Sequence, residues 1–342
     1  MDTYTFTKNH TLISKGVAMI LMLILHLFYW QDYEQYTALI ILPNGHSIPW
    51  TIGSIGNICV SMFLFLSGYG MYYVQKKIKN FSFRNAGIRI KNIWIQYAVI
   101  TVTIVALGVT FGIGEYDFKN VMLNVFALDY SYNKFAWFVI TYIVIILVFP
   151  VVNKFYKRMS LPMEVIGVIG IKVLITIINY VLQSHFKVNT IIYKVCIEPF
   201  MFLPVFLIGY ICAKHFIFEK IIKELNEKVP KYKKMVLSMI LAAVVVFIIF
   251  VPNTIFDNIT APIICFTVSY IFYENVIGKV FISLGKHATN MWLIHYPIMV
   301  TFIPKIIFFP RYWLFILLWI IIIMLPICYI LDWIFIKFKL RG

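Results

Sequence analysis

Hydrophobic residues in this chain come in long runs, not in one-sided stripes. Ten stretches, at about 12–30, 50–74, 88–112, 135–155, 162–182, 191–216, 234–251, 256–275, 284–304 and 311–337, are apolar over most of their length. A helix needs roughly 20 such residues to cross a bilayer. The runs are rich in Ile, Val, Leu and Phe on every side, as helices surrounded by lipid are. The pattern predicts an all-α integral membrane protein of about ten transmembrane helices, with residues 1–342 forming one polytopic domain. Residues 1–11 are polar, and the first run is a full span without a small-residue cleavage site, so it is expected to remain as a span.

Composition agrees. The chain is 62% hydrophobic, and its mean hydropathy is +0.88. A soluble domain is closer to half apolar. The net charge of +16 would suggest nucleic acid in a soluble chain, but here the cations sort by loop. Lys76, Lys77, Lys79, Arg84, Arg89 and Lys91 fall in one connection, Lys154, Lys157 and Arg158 in another. Lys214, Lys220, Lys223, Lys228, Lys231, Lys233 and Lys234 fall in a third, a charged segment expected to form a solvated helix on the membrane surface. With an even number of spans these share one side with Lys279, Lys286, Lys337, Lys339 and Arg341. The other side holds Lys119, Lys134, Lys187, Lys305 and Arg311 with Asp32, Glu34, Glu115, Asp117 and Asp129. Because basic residues concentrate in cytoplasmic loops, both termini are expected in the cytoplasm, in a multi-pass protein of the cell membrane with no nucleic-acid partner. The five cysteines are scattered through apolar runs, so neither a metal site nor a disulfide framework is expected.

The first run carries an ionisable pair. His26 follows Lys15 by eleven residues. At ~100° per residue these lie within ~20° of one helix face, separated by roughly 16 Å along the axis. Lys15 reads either as a snorkelling end anchor or as a fixed cation for an anionic ligand. His26 reads either as a packed histidine or as a titratable group facing a cavity. The longer connections at 31–49 and 113–134 are expected on the outer side. In the second, Tyr116, Tyr130 and Tyr132 among acids and asparagines suit either sugar recognition or an interfacial aromatic belt.

Six stretches in order resemble the membrane acyltransferase 3 family. They are Lys15-Gly16 with His26; Ser61-Met62-Phe63-Leu64-Phe65-Leu66-Ser67-Gly68-Tyr69; the basic stretch of Arg84, Arg89 and Lys91; Ala136-Trp137-Phe138; the segment from Phe202 to Tyr210; and the segment from Gly285 to Pro297 with His295. The sequence departs from the family pattern in two places: Lys15 stands where arginine is usual, and Arg89 has Ala86 three residues before it instead of a second arginine. The resemblance implies transfer of an acyl group, usually acetyl, from cytoplasmic acyl-coenzyme A to a carbohydrate hydroxyl at or beyond the outer face. Acyl-CoA would then be a co-substrate, with no permanently bound cofactor, and the oligomeric state stays open.

O-acylation needs a base or nucleophile, and histidine supplies either near neutral pH. His26 is therefore the candidate catalytic residue. Lys15, Arg89 and Lys91 are candidate contacts for coenzyme phosphates, with the pantetheine arm running up the helix face from Lys15 to His26. His295, placed early in its span near the cytoplasmic side, reads as a coenzyme contact or a structural residue. Glu198 is a candidate acceptor contact or a helical partner of Lys194, four residues before it. Trp137 and Tyr142 are candidate acceptor contacts or packing residues. Lys172 is expected to pair internally or line a cavity, and Ser67 to pack beside Gly68. Two rival functions stay open at this point. A transporter or flippase would accommodate the many spans and buried charges. A glycan polymerase or ligase would place its chemistry in the outer loops and would not depend on His26.

Overall fold

The computed structural model describes residues 5–30, 37, 40–42, 45–78, 81–185, 191–251 and 254–340. Lys79, Lys187, Arg341, Asp32 and Glu34, used above to sort the charges, lie outside the described residues, as does most of 31–44. The helices are α1 (Lys8–Phe28), α2 (Ile48–Ile55), α3 (Ile58–Ile78), α4 (Phe83–Phe111), α5 (Phe118–Val125), α6 (Phe138–Tyr156), α7 (Leu161–His185) and α8 (Ile191–Cys196). They continue as α9 (Glu198–Lys214), α10 (Ile217–Lys228), α11 (Lys233–Phe250), α12 (Asp257–Phe272), α13 (Val276–Lys286), α14 (Ala288–Tyr296), α15 (Pro304–Ile307) and α16 (Trp313–Lys337). Among the described residues nine helical stretches are long and apolar enough to cross a membrane. The chain is an all-α, multi-pass membrane protein.

The remaining expected span, 284–304, is helical but broken. It comprises α14 followed by a π-helical turn over Pro297–Phe302, and α13 precedes it as a separate helix. The interruptions have local causes. His287 closes α13 in a non-helical conformation, and Pro297 has no N–H to continue the ladder.

The chain divides into two compact units: Met1–Phe63 with Phe218–Lys337, and Leu64–Ile217 with Phe338–Gly342. In the first, α1 is the central element. In its most apolar window 72% of residues are buried, against 6% for α11 of the same unit. Two glycines let α13 lie directly on α1. A Cβ on Gly16 would collide with the backbone of Phe281, and a Cβ on Gly285 with that of Leu12. The two helices therefore run in opposite directions where they cross. Ser14 ties α1 to α12 by donating to the Cys265 carbonyl at 2.9 Å. The charged segment expected to form a solvated helix is the helix α10, and one face of it is buried. Phe218 and Ile222 are buried, with Phe218 meeting the rings of Phe6 and Phe266 at 5.1 and 5.0 Å. Its other face carries the pairs Lys223–Glu227 and Lys228–Glu224 at 3.9 and 3.8 Å, exposed contacts that contribute little to stability.

The second unit contains a similar close crossing. A Cβ on Gly68 would strike the Phe206 carbonyl, and one on Gly209 the Phe65 carbonyl. Gly68 thus occupies the α3–α9 contact, beside Ser67. Tyr210 donates to Gln75 and lies 3.1 Å from the Asn153 side-chain oxygen. The segment 113–134 is not an open loop. Asp117 caps α5 by accepting from the Asn120 amide at 3.0 Å. The Trp94 indole N–H donates to the Val125 carbonyl at 3.0 Å and its ring stacks on Phe126 at 5.8 Å. Trp94 precedes the end of α4 by 17 residues, roughly 26 Å along a helix, so α5 folds back along α4. The polar residues that suggested a loop bond to each other: Asn124 donates to Asp129 at 3.2 Å and Ser131 at 3.0 Å, and accepts from the Tyr132 amide at 3.2 Å.

Candidate active site

Lys15 and His26 lie on one uninterrupted helix, α1, so the geometry expected of an eleven-residue spacing holds: nearly one face, roughly 16 Å apart along the axis. Lys15 is half-buried and His26 is buried at 7% exposure. The long side chain of Lys15 allows its ammonium to reach towards more polar surroundings from a half-buried backbone, whereas the His26 ring is fixed within the unit.

His295 is the partner of that ring. The sequence puts it near the Lys15 end of the unit; the structure corrects this and sets it beside His26. His295 Nε2 lies 2.8 Å from His26 Nδ1. The rings are nearly parallel, at 12°, with centroids 4.8 Å apart. His295 Nδ1 lies 2.5 Å from the Trp292 carbonyl oxygen, and His295 is fully buried. The displacement follows from the break in the expected span. Because α13 takes up the residues alongside Leu12–Gly16, α14 begins only at Ala288 and brings its last turn to the His26 level.

A second histidine sits at the other end of α14. His287 Nδ1 is 2.7 Å from Asp332 Oδ2, and Asn290 donates to Asp332 Oδ1 at 2.9 Å. His287 also meets Tyr329 edge-on at 4.2 Å. These contacts tie the start of α14 to α16, which helps hold His295 in place. No role is expected from the sequence for Asp332, nor individually for His287 and Asn290 within the Gly285–Pro297 segment. The available signal was an acid, Asp332, inside an otherwise apolar final run.

The other candidates belong to the second unit. Arg89 is half-buried and Lys91 exposed, both near the start of α4. Trp137 meets Phe202 at 5.6 Å, one turn beyond Glu198 on α9, and Phe138 meets Tyr142 at 6.4 Å. Trp137 thus meets α9 one turn from Glu198, and Tyr142 lies one turn along α6 from Phe138; Trp137, Tyr142 and Glu198 are each half-buried. The Lys194 ammonium lies 4.1 Å from the centre of the Tyr130 ring. Ile197 interrupts the helix between Lys194 on α8 and Glu198 on α9. A further cluster was missed. Buried Glu164 receives Lys214 at 2.5 Å and His215 at 2.6 Å. Lys214 also donates to the carbonyls of Tyr156 at 2.8 Å and Met159 at 3.1 Å. A lysine on the last carbonyl of α6, that of Tyr156, and an acid in the first turn of α7 both favour the helix dipoles. Among the described residues no group of three His, Cys, Asp or Glu side chains is arranged to hold a metal ion.

The first unit thus offers a buried imidazole pair, one ring of which, His26, shares α1 with a fixed cation. One imidazole can exchange a proton with a substrate while its neighbour holds it in place, and the cation can meet an anionic group roughly 16 Å away. No curated protein and no solved structure matches the chain. A family model described as an acyltransferase domain matches residues 13–333, a range containing Lys15, His26, the α13–α14 break, His295 and Asp332. The chain belongs to the acyltransferase 3 family.

Proposed function

We propose that this membrane acyltransferase moves an acetyl group from cytoplasmic acetyl-coenzyme A to a hydroxyl of a cell-envelope or exported carbohydrate, in the cell membrane and with both termini in the cytoplasm. The observation that carries the proposal is the placement of Lys15 and buried His26 on one face of α1, in a chain of an acyltransferase family. An extended pantetheine arm matches their separation of roughly 16 Å to order of magnitude. With coenzyme phosphates at Lys15, the thioester would lie near His26.

His26 then acts as general base. It takes the proton of the acceptor hydroxyl as the oxygen attacks the thioester carbonyl. The new C–O bond forms, the C–S bond breaks, and the proton passes from His26 to the departing sulfur, leaving free thiol. Burial excludes bulk water and limits hydrolysis of the thioester. The charge distribution supports the cytoplasmic donor, since the basic connections fall on one side and lysine and arginine collect in the cytoplasm.

The test uses the full chain in lipid nanodiscs with radiolabelled acetyl-coenzyme A and a panel of candidate glycans. Thiol release with label appearing on a glycan is the expected result. Thiol release without labelled glycan, for every member of a panel spanning the envelope polysaccharides, would overturn the acceptor class. Absence of donor binding by folded protein would overturn the donor.

A further inference from the structure

We infer that His295 is the positioning residue of the base: it fixes which nitrogen of His26 carries the proton, and then shares the charge that proton transfer creates. This rests on His26 being the base. The deduction starts at the far end of the chain of contacts. A backbone carbonyl can only accept. His295 Nδ1, 2.5 Å from the Trp292 oxygen, must therefore be N–H. A neutral imidazole has one N–H, so His295 Nε2 carries a lone pair. That lone pair faces His26 Nδ1 at 2.8 Å, so His26 Nδ1 must donate. His26 is then fixed in the tautomer whose Nε2 holds the lone pair, the state in which it can take a proton from a hydroxyl. The same logic applies wherever a second group on one imidazole nitrogen sets the state of the other.

The anchor of this chain is rigid. Trp292 and His295 are three residues apart in α14, so the terminal acceptor belongs to the helix that carries the ring. His287 and Asn290, both on Asp332, hold the start of that helix to α16. Directly after His295 the backbone enters the π-helical turn over Pro297–Phe302, a distortion of the kind found often at functional sites.

The pair also gives the transferred proton two places to rest. When His26 Nε2 accepts the acceptor's proton, the Nδ1 proton can shift across 2.8 Å to His295 Nε2. His26 is then neutral with its proton on Nε2; the shared proton returns from His295 to His26 Nδ1 as the Nε2 proton passes to the leaving sulfur, so both rings end neutral. No bond other than N–H, O–H, C–O, C–S and S–H changes, and one proton moves from hydroxyl to thiol. Two charges on rings 4.8 Å apart would repel, so the pair holds one.

Two experiments test this in the full chain in nanodiscs. In the first, histidines are labelled with nitrogen-15, and His26 signals are assigned with His26→Gln. The expected spectrum shows His26 protonated at Nδ1 only. In His295→Ala the two tautomers of His26 are expected to mix. An unchanged His26 tautomer in His295→Ala would overturn the inference, whatever the substrate. In the second, thiol release from acetyl-coenzyme A is followed for His295→Ala, His295→Gln, His26→Ala and the double alanine variant. His295→Ala is expected to lower kcat by ~100-fold with the donor KM unchanged. His295→Gln should regain part of the loss, because its amide oxygen accepts from His26 Nδ1 but cannot take the proton. The double variant should be no slower than His26→Ala alone, since coupled residues are non-additive. Additive losses, or a raised KM without a kcat effect, would mark His295 as structural or as a donor contact. If His295→Ala does not fold, His295→Gln carries both tests. If the wild-type chain releases no thiol, the acyl-transfer proposal fails, and the tautomer spectrum still decides the role of His295.

Discussion

The His26–His295 pair of the first unit and the Glu164–Lys214–His215 cluster of the second are both polar groups buried in an apolar chain, but they are built differently. In the cluster every strong group is matched. The lysine has three acceptors for its three protons, and each oxygen of Glu164 faces a nitrogen. The members come from the ends of α6, α7 and α9, where an acid and a cation also suit the helix dipoles. Such an arrangement joins elements and has little capacity left for chemistry. The imidazole pair lies far along α1 and at the last turn of α14, and its 2.8 Å contact joins two titratable rings instead of an acid and a cation. The difference separates a buried network that maintains architecture from one that holds a reactive group.

Four substitutions sharpen this contrast. The largest stability effect is expected from Glu164→Gln, which leaves Lys214 with its charge unbalanced. Removing one partner of a fully buried pair costs more than this case should, because Lys214 and His215 are 18% and 23% exposed; a loss of about 2–3 kcal/mol is expected. Thermal unfolding in nanodiscs should show a lower midpoint, while turnover per folded molecule is unchanged. Loss of turnover in the folded fraction would erase the distinction between the two networks.

Next come the two glycine crossings. Gly209→Ala forces the α3–α9 backbones apart and should cost about 1–3 kcal/mol. Gly16→Ala should cost about the same, but it displaces the α13–α14 segment that carries His295. It should therefore also slow thiol release, whereas Gly209→Ala should not. Equal behaviour of the two in turnover assays would remove α13 from the site's support. Lys15→Ala should weaken acetyl-coenzyme A binding by ~10-fold, about 1.4 kcal/mol, read by equilibrium binding; unchanged affinity would end its phosphate role.

The smallest effect concerns pH and the segment folded along α4. Burial pushes the Asp129 carboxyl up, but hydrogen bonds from the Ser131 hydroxyl and from the backbone of Tyr130 and Ser131, with the Lys194 charge, outweigh it and hold it below its ordinary value. A carboxyl depressed in the folded state stabilises above its unfolded pKa, and that contribution is lost as pH falls through the folded value. Hydrogen exchange over 118–133 should therefore quicken only below about pH 4, by an amount reflecting a few tenths of a kcal/mol at a partly exposed site. Asp129→Asn should abolish the step.

The spans and the Lys15–His26 relation were legible in the sequence because both depend on one unbroken helix, where spacing converts directly into geometry. What could not be read there depends on breaks and on distant pairing. His295 meets His26 across 269 positions, and its level is set by where α13 ends, which apolar content does not reveal. Lys194 and Glu198 have the right spacing for a pair but straddle the interruption at Ile197. Lys214 counts as a loop cation by sequence, yet its ammonium is consumed by Glu164 and two carbonyls. Trp94 gives no sign by sequence that its indole takes the carbonyl of Val125, a contact that turns an expected loop into a layer along α4.

The central claim, that His26 is the base of an acetyl transfer from coenzyme A, is tested most directly by thiol release from acetyl-coenzyme A in nanodiscs, comparing the wild-type chain with His26→Ala. The account predicts release that falls by ~1,000-fold in the variant, with donor affinity and thermal midpoint retained. Release that survives in His26→Ala would contradict the assignment of the base. A folded wild-type chain that neither binds nor cleaves acetyl-coenzyme A would contradict the donor itself.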